Sequence, residues 1–388
     1  MTTTPSTLRP RQKTPVSARD LSSQQDARTK GMRDIGLAAM ETPFKGVSGD
    51  GKIVPGLFPI RRSGVSTQPI VDAAKAFLAS LGDKAATARF PLESDVLRSW
   101  SNVHMFLMRH GALMEDMSDA QREAALGLLR ATLSADGFET ARKIMRLNES
   151  IREITQRDIE FGEWLYWVSI LGEPSTEQPW GWQIDGHHLI VNVFVLGDQV
   201  VVTPMFMGSE PTWAPEGKYA GTRVFEAEQE HGRALMQALS PSQRSKALLS
   251  VDLPDEVFTA AYRDNFELRY EGLRFDELTA SQSILANRLI ETYLRRMRAG
   301  HDEAWLADVR AHLDETYFAW MGSADADGVF YYRVHSPVVL IEFDHLKGIA
   351  LDSDVASEQH IHTVVRTPNG NDYGRDLLRQ HRETAHGT

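Results

Sequence analysis

The chain is expected to fold as an α+β protein. A helical N-terminal part would pack with a mostly antiparallel β-sheet region, and a second helical block would be inserted between two groups of strands. Three observations lead there. From Pro69 to about Gln156, apolar residues recur every three or four positions. The period then changes in stretches rich in Val, Ile, Phe, Tyr and Trp and bounded by Gly, Pro and Asp, such as "HLIVNVFVLGDQVVV" and "VVLIEFD". Between the strand groups, from Arg223 to Thr316, helical spacing returns. Helices, strands, helices, strands is a grouping that strict α/β alternation would not produce.

In chain order, "MTTTPSTLRPRQKTPVSARD" has no apolar core and no acid before Asp20, and Pro5, Pro10 and Pro15 oppose an amphipathic helix. Residues 1–30 are therefore expected to be a disordered tail rather than a signal or transit peptide. Residues 31–388 are read as one large domain, with a subdivision into 69–156 (helical) and 157–388 (sheet-containing). Residues 24–44 carry helical spacing around Ile35, Leu37 and Met40, and a Gly/Pro/Ser-rich loop follows. "PIVDAAKAFLASLG" has Pro near its start and Gly at its end, the usual helix punctuation. Ser118 followed by Gln121 has capping-box spacing. Leu196 to Val200, "LGDQV", reads as a hairpin turn.

Composition narrows the function classes. Of 388 residues, 42 are Lys or Arg and 53 are Asp or Glu, a net charge of −11 with histidine neutral. That balance argues against a nucleic-acid partner and against an anionic membrane surface. There is no cysteine, so disulfides, Cys-ligated zinc, iron–sulfur clusters and thiolate catalysis are excluded. No apolar run approaches the length of a membrane span. A cytoplasmic protein acting on a small molecule is the expectation, and a homo-oligomer is compatible with it.

Several motifs fail. "GVSGDGKI" has the Gly-x4-Gly-Lys of a phosphate loop, but Ile53 stands where Ser or Thr should hold magnesium, and no strand precedes it. No nucleophile elbow, dinucleotide loop or H-E-x-x-H occurs. The Glu228/His231 and Glu342/His345 pairs have the spacing of di-iron bundles, but Glu342 ends a strand-like run.

The histidines carry the chemistry. Residues two apart on a strand share a face, so "QHIHTVV" sets His360 beside His362. In "VVLIEFD", Val339, Ile341 and Phe343 form the apolar face and Glu342 and Asp344 the other. Treated as strand, "GHHLIVNVFV" puts His187 with the apolar Leu189 and Val191, and His188 on the mixed face with Ile190 and Asn192. If these strands are neighbours, His188, His360 and His362 with Glu342 would hold a divalent ion, zinc, iron or manganese, since imidazole plus carboxylate suits these better than Ca²⁺ or Mg²⁺. His187 or Asp372 would serve as general base, and Arg333 would hold the substrate. Against this stands the plainer reading that strand histidines are satisfied core residues.

"WGWQIDGHHLIVNVFV", "YYRVHSPVVLIEFD" and "HIHTVVRTPNGNDYGRDLLRQH" resemble the bacterial family catalogued only as domain of unknown function 3500, from about Pro69 to His381. The resemblance implies no activity. It does place Trp182, Gln183, His187, His188, Arg333, Glu342, His360, His362, Asp372 and Tyr373 inside the family's signature stretches, as a site would. The expected function is a metal-dependent hydrolase of a small organic molecule. Two alternatives stay open: a non-haem-iron-type oxidoreductase or lyase using the same cluster, and a non-catalytic ligand-binding protein whose Trp180, Trp182 and Trp213 line an apolar pocket.

Overall fold

The computed structural model describes residues 8–19, 27–105 and 109–386. Its strands are β1 (Arg89–Phe90), β2 (Ala112–Leu113), β3 (Tyr166–Leu171), β4 (Trp180–Gly186), β5 (Leu189–Leu196), β6 (Gln199–Val201), β7 (Met205–Ser209), β8 (Leu248–Ser250), β9 (Leu273–Arg274), β10 (Tyr317–Gly322), β11 (Phe330–His335), β12 (Leu340–Leu346) and β13 (Ser357–Arg366). All join one sheet in the order β1-β3-β4-β5-β7-β13-β12-β11-β10-β8, with β2 on β3, β6 on β5 and β9 on β10. The β1–β3 and β10–β8 pairs are parallel, and the rest of the ladder is antiparallel.

The two faces of this sheet differ in chemistry, and the period-2 pattern is the reason. Leu189, Val191, Val193 and Val195 of β5, Ile341 and Phe343 of β12, and Ile361 and Val365 of β13 point to one face. There they share a core with helices Gln68–Leu81, Asp119–Thr132, Ala135–Thr155, Glu226–Ala238 and Ala280–Leu294. Burying each such aliphatic side chain stabilises the fold by roughly 1.5–3 kcal/mol, so a one-residue register slip is strongly disfavoured. The opposite face carries Ile190, Phe206 and Val364 packed on Leu97, Trp100 and Tyr373, and it is covered by loops and short 3-10 turns. It also buries Asn192, Glu342, Asp344, His360, His362 and Arg366. Polar groups this deep need partners, which makes this face the place to look for function.

The expected α+β class is the observed one, with the second helical block between the strand groups. The Ser118–Gln121 capping box forms as the spacing predicts, and β5 and β6 meet in a hairpin with Leu196 opposite Gln199. The N-terminal tail is a different matter. Residues 1–7 and 20–26 of the expected 1–30 tail lie outside the described residues, but 8–19 run as a packed strap. Its Arg11 amide donates to the Ala350 carbonyl (2.8 Å) and its Ala18 amide to the Ile159 carbonyl (2.8 Å). No helix among the described residues is long and apolar enough to cross a membrane.

Candidate metal centre

Gly186 pairs with Leu189, so β4 and β5 close through a two-residue turn made of His187 and His188. His188 takes φ of 60°, the left-handed region that costs an L-residue about 1–2 kcal/mol. Tertiary contacts hold it there: its amide donates to the Asn102 carbonyl (3.1 Å), and its own carbonyl accepts from the Gly208 amide (2.8 Å). Strand alternation therefore does not separate these two histidines, contrary to the sequence reading. The turn stacks their rings face to face, with centroids 3.8 Å apart.

His360 and His362 do lie on a strand and share a face, as their spacing predicts. In the ladder His362 stands opposite Asp344 of β12 and Gly208 of β7. Gly208 has to be small: a Cβ there would sit 2.8 Å from the His362 ring carbon Cδ2. The β5–β7–β13 adjacency then carries His188 to the pair. His362 Nε2 is 3.0 Å from His188 Nε2 and 3.1 Å from His360 Nε2, and one ligand nitrogen from each of the three lies within 4.8 Å of the others.

The outer nitrogens determine what the inner ones are. His362 Nδ1 lies 2.6 Å from Glu256 Oε1 and His360 Nδ1 2.6 Å from the Lys347 carbonyl oxygen. Both partners are acceptors, so both Nδ1 atoms carry hydrogen and both Nε2 atoms present lone pairs. Two lone pairs facing each other at 3.1 Å repel unless a cation lies between them. A proton or a metal ion meets that need, and a histidine engaged through Nδ1 with a carboxylate or carbonyl is the usual arrangement of a metal ligand. Burial, then the neighbouring imidazoles, push His187 and His188 well below the ordinary histidine range. Burial pushes His360 the same way. Neutral imidazoles are what a divalent ion requires. Burial pushes the Glu256 carboxyl up, but adjacent His362 and the Val257 amide outweigh it and hold the carboxyl below its usual range.

The three Nε2 atoms open into a cavity of about 390 Å³. Met32, Val103, Met105, Leu346 and Ile349 supply apolar wall, and Asp255 and Lys13 supply charge. His187 also lines it, with its Nδ1 donating to Asn148 Oδ1 (2.7 Å). Glu210 stands 3.9 Å from His360 Nδ1 and accepts the amides of Ile349, Ala350 and Leu351.

Glu342, expected as the carboxylate ligand, is not in this cluster. It shares the face but stands opposite Val364, two ladder positions from His362, with the Phe343–Thr363 pair between. Its oxygens accept from the Phe258 amide (2.7 Å), the Thr259 amide (2.9 Å), the Thr259 hydroxyl and the Tyr331 hydroxyl. That saturates it, and it thereby pins the loop that presents Glu256. Asp344, directly opposite His362, has its carboxyl held well above the usual range by burial and by Glu256 and Glu342. Arg333 and Asp372 do not line the cavity either. Arg333 pairs with Glu271 (3.1 Å) and Asp372 with Arg366 (3.1 Å), and Asp372 also accepts the Thr367 amide (2.8 Å). Tyr373 accepts from Trp100 and donates to Asp264. Gln183 donates to Asn192. Trp180 and Trp182 belong to the helix-covered core, and Trp213 stacks with Arg223. Of the Glu-x-x-His pairs, Glu228 pairs with Arg296, and His345 bonds Gln229, so neither builds a metal site. Glu256, Glu210, Asn102, Asn148, His104 and Lys347 are the participants that sequence reasoning missed. They come from loops and a helix far apart in the chain, and only a carboxylate beside a turn, "LPDEVF", hints at one of them.

A family model described as "Protein of unknown function (DUF3500)" matches residues 63–375, and the chain belongs to that family. No curated protein and no solved structure matches the chain.

Proposed function

We propose that this member of the DUF3500 family is a metal-dependent enzyme, a hydrolase of a small organic molecule, with a divalent ion, zinc in the first place, held by the Nε2 atoms of His188, His360 and His362. The observation that carries the reading is the convergence of three buried imidazole nitrogens, two of them with Nδ1 engaged by acceptors. With Glu342 engaged elsewhere, the set is three imidazoles and no carboxylate. That favours zinc over the two-histidine, one-carboxylate iron site, and oxygen-seeking Ca²⁺ or Mg²⁺ fits least. The separations of His362 Nε2 from His188 Nε2 and His360 Nε2, 3.0 and 3.1 Å, are of the order that nitrogens sharing one zinc ion would have.

Such an ion, with a position left open, brings the pKa of a bound water toward neutrality and polarises a carbonyl. The chain's own residues do the rest. Glu256 and the Lys347 carbonyl keep the protons of His362 and His360 on Nδ1. His187, with Nδ1 on Asn148, has Nε2 left as a hydrogen-bond acceptor for a water or substrate in the cavity it lines. The apolar wall excludes bulk water around a bound molecule, and the cavity volume falls in the range of small-molecule sites.

Metal analysis of the purified protein tests the reading, alongside the His360→Ala/His362→Ala pair. One equivalent of zinc in the parent and none in the double variant is the expected result. Absence of stoichiometric metal in both ends the proposal. Iron with oxygen-dependent turnover would replace the hydrolase by an oxidoreductase.

A further inference from the structure

The cavity is not closed by the family-matched part of the chain alone. Lys13, Thr14 and Val16 of the 8–19 strap line it, and the strap precedes the matched residues 63–375. At one end the strap lies on the 348–354 loop. Pro10 bridges Leu351, the Asp352 amide donates to the Arg9 carbonyl (2.8 Å), and Arg11 pairs with Asp354 (2.8 Å). In the middle the Val16 amide donates to Glu160 (2.6 Å), and at the far end Arg19 pairs with Glu115 (2.7 Å) and Asp116 (2.6 Å).

These attachments are mixed, with buried anchors in the middle: the Val16 amide bonds the fully buried Glu160 carboxylate, and the Arg157 guanidinium donates to the Arg11 carbonyl. The ion pairs at both ends are exposed, with Asp354 at 89% and Asp116 at 56% side-chain exposure, so they are individually weak and screened by salt. The backbone contacts are isolated bonds rather than a ladder. The 348–354 loop also reaches the histidines: Glu210, beside His360, accepts three of its amides, and Lys347, just before it, accepts from His360 Nδ1. The strap thus rests on the loop that braces one of the three ligands.

We propose that residues 8–19 are a releasable wall of the site. A substrate reaches the three histidines when the strap leaves the 348–354 loop, and the returned strap closes the cavity over it with Lys13, Thr14 and Val16. This rests on the cavity being the working site. It does not rest on a metal being present.

The test uses the whole chain, stripped of metal, and reads the rate at which diethylpyrocarbonate modifies His188, His360 and His362, located by peptide mass spectrometry. The chain has no cysteine, so Pro10→Cys/Leu351→Cys adds one defined pair. Antiparallel partners lie about 4.5–5.5 Å apart at Cα, within reach of a disulfide. Oxidation of this variant is expected to slow modification at least tenfold, and reductant to restore it. Arg11→Ala/Arg19→Ala, or added salt, is expected to accelerate it about threefold or more. Equal rates for the oxidised and reduced forms overturn the gate. Failure of the metal reading appears separately, as missing zinc in the parent protein.

Discussion

Glu256→Gln probes the centre without emptying it. The carboxylate accepts from His362 Nδ1 at 2.6 Å and from Asn102 Nδ2 at 3.3 Å, and the Val257 amide also donates to Oε1 (3.0 Å). Glutamine keeps the shape. Its one oxygen can stay on His362 and Val257, which turns its NH₂ toward the Asn102 NH₂, donor against donor. The alternative flip leaves the His362 N–H facing a donor. Either way a charge-assisted hydrogen bond of about twice the neutral strength is lost, and with it the charge that raises the basicity of Nε2. Replacing partners of this kind typically costs 10–100-fold in metal affinity, about 1.4–2.7 kcal/mol. Competition titration of zinc against a chromogenic chelator at neutral pH measures this directly, with thermal unfolding of the metal-free protein as the control. A zinc affinity within twofold of the parent's would refute the role assigned to Glu256 and weaken the tautomer argument behind the whole site.

His188→Asn keeps a residue that tolerates the left-handed turn but removes the imidazole. Zinc affinity should fall at least a hundredfold while metal-free stability drops by less than about 1.5 kcal/mol, and a large stability loss with intact zinc binding would mark His188 as structural. Gly208→Ala places a methyl 2.8 Å from His362 Cδ2 and from the Ile361 carbonyl. It should cost about 1–3 kcal/mol by overpacking and weaken zinc binding with it, measured by chemical denaturation and the same titration. Asp372→Ala removes one of the two carboxylates paired with the buried Arg366, leaving Asp264, and should destabilise by about 1–3 kcal/mol, yet leave zinc stoichiometry unchanged in the folded fraction. Stability should also fall in acid. Burial holds His335 and His345 down to about 3, against an ordinary value near 6.5. Between those values the unfolded chain binds protons that the native one refuses. The stability is therefore complete above about pH 6.5 and declines below it, by about 1.4 kcal/mol per pH unit for each group, which denaturant titrations across that window would detect.

Alternation by itself decided that Leu189, Val191 and Val193 face one core, that Ile341 and Phe343 join it, and that His360 and His362 share the other face. Those statements concern period 2 and cost-free local geometry, and they are legible because burying aliphatic surface dominates register. The absence of cysteine likewise excluded cysteine-based chemistry before any fold was known, and the charge balance argued against a nucleic-acid partner. The turn at His187–His188 was not legible. A two-residue hairpin loop inside an apolar run looks like more strand, and its left-handed residue is imposed by Asn102 and Gly208, which are distant in sequence. Nor could the sequence separate Glu342 from Glu256. Both are acids near the right strands, and Glu342 lies on the correct face of β12, but the ladder offset sets it opposite Val364, where four donors saturate it. Glu256 reaches His362 because a loop of no regular period folds over the sheet. The three-nitrogen centre itself depends on β5, β7 and β13 being neighbours, strands separated by up to 174 positions at the His188–His362 contact. Non-local pairing of that kind is decided by the packed chain as a whole, and no local pattern of residues encodes it.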